Sequence, residues 1–208
     1  MDDNRIDSRG FSVGRWCFPA FSLRRGECIT LCLPKEARVD GDRMIACLTG
    51  AEPVAGLKIR GPVVFAAPAT PPSGWRRWFH DPTPFHWLRT NSTLSDDAIR
   101  SFLREHGMDP PYPLSRYAGN PRTFLGLAAA YAHKPDVVVF STSGLDPSGV
   151  RETHRIVTQH LSESSAINLA WPLWCPGHEH HDIFRDSATF VVIDNGASAP
   201  GVSAASAL

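Results

Sequence analysis

From Cys175 to Asp182 the chain reads Cys-Pro-Gly-His-Glu-His-His-Asp, a dense run of thiol, imidazole and carboxylate groups. Cys175, His178, His180 and Asp182 are each competent zinc ligands, so the tract is a candidate metal site. No second Cys/His pair lies nearby in sequence to complete a structural tetrad. A different chemistry is possible where the apolar run Glu27–Leu33 gives way to Pro-Lys-Glu-Ala-Arg-Val-Asp-Gly-Asp-Arg. A strand followed by such a loop can bind phosphate when glycines let backbone N–H groups curl round the anion and a lysine completes the site. Lys35, Arg38 and Arg43 supply positive charge, but Glu36, Asp40 and Asp42 offset it, and Gly41 is the sole glycine. The loop reads as a structural turn before it reads as a phosphate site. Arginine and tryptophan also interleave at Trp75, Arg76, Arg77, Trp78, Trp87 and Arg89, a pattern that can stack on bases or on a protein. The surrounding Pro and aromatic residues favour an irregular loop packed on its own subdomain.

The elements that must position these groups are clearest between Tyr117 and Val150. An Ala-rich helix is expected over Arg122–His133, a break at Lys134-Pro135-Asp136, a strand over Val137–Phe140, the turn Ser-Thr-Ser-Gly-Leu-Asp-Pro, and a helix over Ser148–Leu161. A strand that never alternates polar residues is buried on both faces, which implies a covered, mostly parallel sheet. Strands are also expected over Glu27–Leu33, Gly61–Ala69, Ser165–Leu169 and Ala188–Ile193, and a helix over Asp96–His106 capped by the preceding Asn/Ser/Thr run. In the helix after the turn, His154 shares a stripe with Val150, Val157 and Leu161 and reads as a packed residue. Residues 1–10 read as a loose leader and 197–208 as a disordered, small-residue tail.

Composition narrows the class. With 208 residues and 21 each of Lys+Arg and Asp+Glu, the chain can bury a full core and has no global field to recruit nucleic acid or anionic lipid. Five scattered cysteines, mostly in apolar runs, read as reduced thiols. The start Met-Asp-Asp-Asn-Arg is acidic where an export signal would be basic, and no run approaches a membrane span. A cytoplasmic protein is expected.

Spelling adds to pattern. The lead-in Phe21 to Pro34, the Arg-led helix, the Lys-Pro-Asp break, the apolar strand and Ser143-Gly144-Leu145-Asp146-Pro147 together resemble the ATP-binding cassette (ABC) ATPases over about residues 12–196. The resemblance implies a P-loop-NTPase-like α/β fold: a mostly parallel sheet with flanking helices, antiparallel N-terminal strands and a small helical subdomain over about 75–133. It makes Ser143–Pro147 the D-loop and Tyr117-Ala118-Gly119-Asn120-Pro121 the signature motif, with its serine and second glycine replaced. It puts Lys35, Arg38 and Arg43 in a Walker A region without its glycines or lysine. It ends the Walker B strand at Phe140-Ser141-Thr142 without its two acids, and gives the Q-loop region no glutamine. His178 falls on the family's switch histidine, so the Cys175–Asp182 tract reads as a surface helix start with a relict histidine, as a metal site, or as a site with a working catalytic histidine. The activity implied is ATP hydrolysis coupled to transport, lost here in the isolated chain. The expected partners are another ABC subunit or a second copy in a head-to-tail dimer, and a membrane-spanning transporter subunit. ATP and magnesium are expected only through such a partner.

Overall fold

The computed structural model describes residues 3–75, 80–108, 112–171 and 188–193. Two sheets form the scaffold. The first is antiparallel, in the order β2-β1-β4, from β1 (Asn4–Val13), β2 (Trp16–Arg24) and β4 (Leu57–Ile59). The second has five strands in the order β5-β6-β7-β3-β8, every neighbouring pair parallel: β3 (Cys28–Cys32), β5 (Val63–Phe65), β6 (Val137–Ser141), β7 (Ser165–Ala170) and β8 (Ala188–Val192). Every residue of β3 and β7 is buried, as is β6 up to Phe140, as expected of strands covered on both faces.

The N-terminal reading needs correction. Residues 4–10 are strand rather than loose leader, because Ile6 is fully buried between Leu23 and Ile59 and Arg60 N–H donates to Arg5 O at 2.8 Å. One apolar residue in that stretch was too little to reveal a strand, although its partner β2 follows directly after Gly14 and Arg15. Strand β5 is also shorter than Gly61–Ala69: Ala66 N–H still bonds Val139 O, but Ala67 N–H turns back to Phe65 O and the chain leaves the sheet.

Between the strands, the described residues include the α-helices α1 (Gly41–Leu48), α2 (Pro84–Asn91), α3 (Asp96–Glu105), α4 (Gly119–Ala132) and α5 (Pro147–His160). Helix α2 was read as irregular loop. Thr83 Oγ1 caps it by accepting from His86 N–H at 3.3 Å, and Pro84 sits in the first turn, where a missing N–H removes no helical bond. Helix α3 starts from Ser95, whose Oγ accepts from Ala98 N–H, and ends before Gly107 in the left-handed region.

Three apolar clusters tie the parts together. One lies between the antiparallel layer and the parallel sheet, around Ile6, Trp16, Leu31 and Val139. The second packs α4 and α5 on the sheet through Phe124, Leu127, Phe140 and Val157. The third joins α2 and α3 to the other side of α4 through Leu88, Ile99, Leu125 and Ala129. Cys28 and Cys47 are buried and Cys17 is exposed. Burial pushes the Cys28 thiol up to about 12, so it packs as a small hydrophobe. Among the described residues, no helix is long and apolar enough to cross a membrane.

Candidate nucleotide site

The loop between β3 and α1 is built as a packed turn. Residues Lys35–Asp40 form a 3₁₀ helix after Pro34, with Ala37 N–H bonded to Pro34 O at 2.9 Å and the Ala37 methyl fully buried. Gly41 has φ −56° and ψ −45°, ordinary helical values that any residue could adopt. A Cβ there would lie 4.0 Å from the Trp171 ring at the end of β7, an ordinary van der Waals contact, so neither backbone nor space demands glycine at this position. Trp171 is half-buried and packs on the first core cluster beside the helix start.

Charge at that helix start is already assigned. A helix N-terminus favours an anion, and Asp40 and Asp42 bring two carboxylates to it from the chain itself. Asp40 Oδ2 is fixed by Trp16 Nε1–H at 2.7 Å. Of the three cations in the region, Arg43 forks onto Glu52 Oε1 at 3.0 and 2.8 Å, while Lys35 and Arg38 lie exposed on the 3₁₀ turn. Of the three, Arg43 is thus engaged by a carboxylate while Lys35 and Arg38 face solvent.

The C-terminal end of β6 carries the hydroxyls of Ser141 and Thr142. Ser141 Oγ donates to Leu169 O at 3.0 Å and accepts from Ser143 N–H at 3.1 Å. Thr142 Oγ1 donates to the fully buried Asn168 Oδ1 at 3.3 Å. These bonds hold the strand end to β7 and use both hydroxyls within the protein.

No family model matches the chain, and no curated protein matches it. Solved structures do. CbiO1 of Clostridium perfringens, part of the ABC transporter complex cbiONQ, aligns at TM-score 0.61 and 16% identity, covering 94% of this chain and 86% of that one. An ATP-binding subunit of an ABC transporter aligns at 0.60 and 16%, covering 85% and 78%. An inward-facing metal-chelate type ABC transporter aligns at 0.62 and 11%, covering 91% and 79%.

The chain has the ABC ATPase fold.

On this ABC fold, the residues best brought together are those at the N-terminal ends of α4 and α5. Asp146 caps α5: its carboxylate accepts from Ser148 Oγ at 2.6 Å, from Gly149 N–H at 2.8 Å and from the Asn120 carboxamide. Those three donors, Ser148 first, hold the carboxyl down at about 2. Asn120 occupies the space a side chain at position 149 would fill, so Gly149 is what lets the two helix starts meet. A Cβ on Gly119 would lie 3.3 Å from Gly144 O, and Gly144 itself turns at φ +79°. Pro121 sits in the first turn of α4, where its missing N–H removes no helical bond, and Tyr117 O–H donates to Met108 O at 3.3 Å. Ala118 stands at the helix cap without a capping oxygen. Residues Tyr117–Pro121 and Ser143–Pro147 thus form one latched surface, although they are more than 20 positions apart.

The sequence reading missed Trp171, Asn168 and the Trp16–Asp40 bond. Asn168 interrupts an otherwise apolar strand, which is a readable sign of a buried hydrogen bond; Trp171 and Trp16 offered no such sign. Cys175, His178, His180 and Asp182 lie outside the described residues. Among the described residues no His, Cys, Asp and Glu group is arranged to hold a metal.

Proposed function

We propose that the chain is an ABC-type domain that does not hydrolyse ATP by itself and serves as a structural or regulatory pairing subunit of a transporter assembly at the cytoplasmic face of a membrane. The observation that carries this reading is the β3–α1 loop, with its own carboxylates and the Trp171 ring beside the start of α1 where a triphosphate would need bare N–H groups and a lysine. Phosphoryl transfer is mostly positioning and charge stabilisation, so the hydroxyl-terminated β6 strengthens the case. The structural neighbours include parts of transporter complexes, which favours a partner of that kind.

The test is equilibrium binding of a fluorescent ATP analogue with magnesium, competed by unlabelled ATP, alongside a phosphate-release assay. No competable binding up to millimolar nucleotide and no turnover above background are expected. Magnesium-dependent turnover that is lost on Asp146→Ala would overturn the reading.

The latch between Asn120 and Asp146 favours a second reading. It presents the signature-like and D-loop-like segments as one preformed surface, suited to completing a competent partner's ATP site. Under that reading, turnover by an added competent ABC subunit changes with this chain present, and the change is lost in Asn120→Ala.

A further inference from the structure

Away from the sheet's C-terminal edge, helices α3, α4 and α5 line an open-sided cleft of about 650 Å³. That is within the ~300–1,000 Å³ usual for small-molecule sites. Ala128, Ile156, Leu94 and Ala98 give its lining small or apolar surface. Two ring pairs border it: Tyr131 stacks on His160 with centroids 4.1 Å apart, and Phe102 stacks on His106 at 4.2 Å. The Tyr131 hydroxyl and His106 Nδ1 are buried behind these rings, so what the walls show the cleft is ring surface rather than polar atoms.

The charges at the mouth select the ligand. Glu105 is already paired with Arg155 at 2.8 Å. Lys134 and Glu163 make no ion pair among the described residues, and both line the cleft. They belong to adjoining segments, because Ser164 Oγ donates to Pro135 O at 2.9 Å. A cation and an anion at the same end of an aromatic cleft suit a molecule carrying both charges on neighbouring atoms. A purely anionic ligand would face the Glu105 and Glu163 carboxylates, and a purely cationic one would leave Lys134 opposed.

We propose that this cleft binds a zwitterionic aromatic compound of amino-acid size, its ring against the Tyr131–His160 and Phe102–His106 walls and its charged end between Lys134 and Glu163. The site is separate from the nucleotide position, and its occupancy does not depend on ATP.

The test uses the full chain and L-tryptophan as probe, read by saturation-transfer NMR, with tryptamine and 3-(indol-3-yl)propionate as analogues lacking one charge each. Tryptophan should bind saturably with a dissociation constant below about 1 mM, and each analogue about fivefold more weakly, the scale of one exposed ion pair. Lys134 has φ +50°, a conformation glycine takes without strain, so Lys134→Gly removes the ammonium while keeping the backbone. It should weaken tryptophan and the propionate but not tryptamine, and Glu163→Gln should do the reverse. Ala98→Trp, which fills the cleft from an exposed position on α3, should abolish binding while circular dichroism stays unchanged. No saturable tryptophan binding up to about 10 mM would overturn the proposal. So would equal affinity for all three probes, or binding unaffected by Ala98→Trp.

Discussion

Asp146 shows how one side chain can hold a surface in shape. Its carboxyl is depressed because Ser148, Gly149 and Asn120 all donate to the charged form. Its folded pKa lies below the unfolded value, so the stability it lends is complete above the unfolded carboxylate range and is lost as pH falls through about 2. Asn120→Ala should raise the Asp146 pKa toward its ordinary value, and ¹³C-detected carboxyl titration would show it; an unmoved pKa would mean that the latch contributes nothing. His154 lies at the opposite extreme. Burial lowers it to about 4, against the edge of the Phe140 ring at 5.7 Å. Both states are neutral at high pH, so its contribution is complete above about 6.5 and disappears as the pH approaches 4. A shift of that size corresponds to at most roughly 3 kcal/mol. Burial also lowers His106 and His160, so acid should destabilise the chain below neutrality. Replacing His154 with leucine should flatten part of that slope in urea titrations run between pH 7 and 4. A slope identical to the wild type would show that His154 does not titrate on unfolding.

At the scale of elements, close approach decides more than propensity. Gly126, in the middle of α4, packs so tightly that a Cβ there would collide with the Ala67 carbonyl oxygen. Backbone on both sides leaves little room to relax, so Gly126→Ala should destabilise by about 3 kcal/mol, although alanine is the better helix former. Chemical denaturation would check this, and a neutral result would mean that α4 can slide away from the strand edge. The same distinction explains what the sequence revealed. The run Val137–Phe140 was legible because a strand covered on both faces and wholly apolar offers no other period, and Ser165–Leu169 was legible through Ala166, Ile167 and Leu169 despite the buried Ser165 and Asn168. Helix α3 was legible through its cap and its stripe of Ile99, Phe102 and Leu103. Strand β1 was hidden because Ile6 is the one large apolar residue of its first half, although its hairpin partner β2 follows directly after Gly14 and Arg15. Helix α2 was hidden by prolines that in fact serve its start. At the site, the single glycine and the offset charges of the β3–α1 loop could be read from spelling, but Trp171 beside Gly41 and Asn120 on Asp146 could not, since both contacts join segments distant in sequence.

At the scale of the whole molecule, α4 decides whether the helical part is a separate unit. Its Phe124, Leu127, Ala130 and Tyr131 belong to the cluster on the sheet, while Leu125, Ala128 and Ala129 belong to the cluster with α2 and α3. Phe102 of α3 packs against both clusters. Neither cluster can lose α4 and keep its boundary, so the two should melt as one transition. Leu127 and Leu125 are each fully buried and face opposite clusters, which makes them a matched pair of probes. Leu→Ala at either position should cost about 3 kcal/mol, mostly from transfer and cavity terms. If α4 couples the parts, both variants lower one common midpoint, seen equally by far-ultraviolet dichroism and by amide exchange in α3 and in β6. If the helical part instead opens independently, Leu125→Ala releases the α3 amides while those of β6 stay protected. The pairing role then becomes harder to sustain, because the surface at the start of α4 would no longer be held by the sheet.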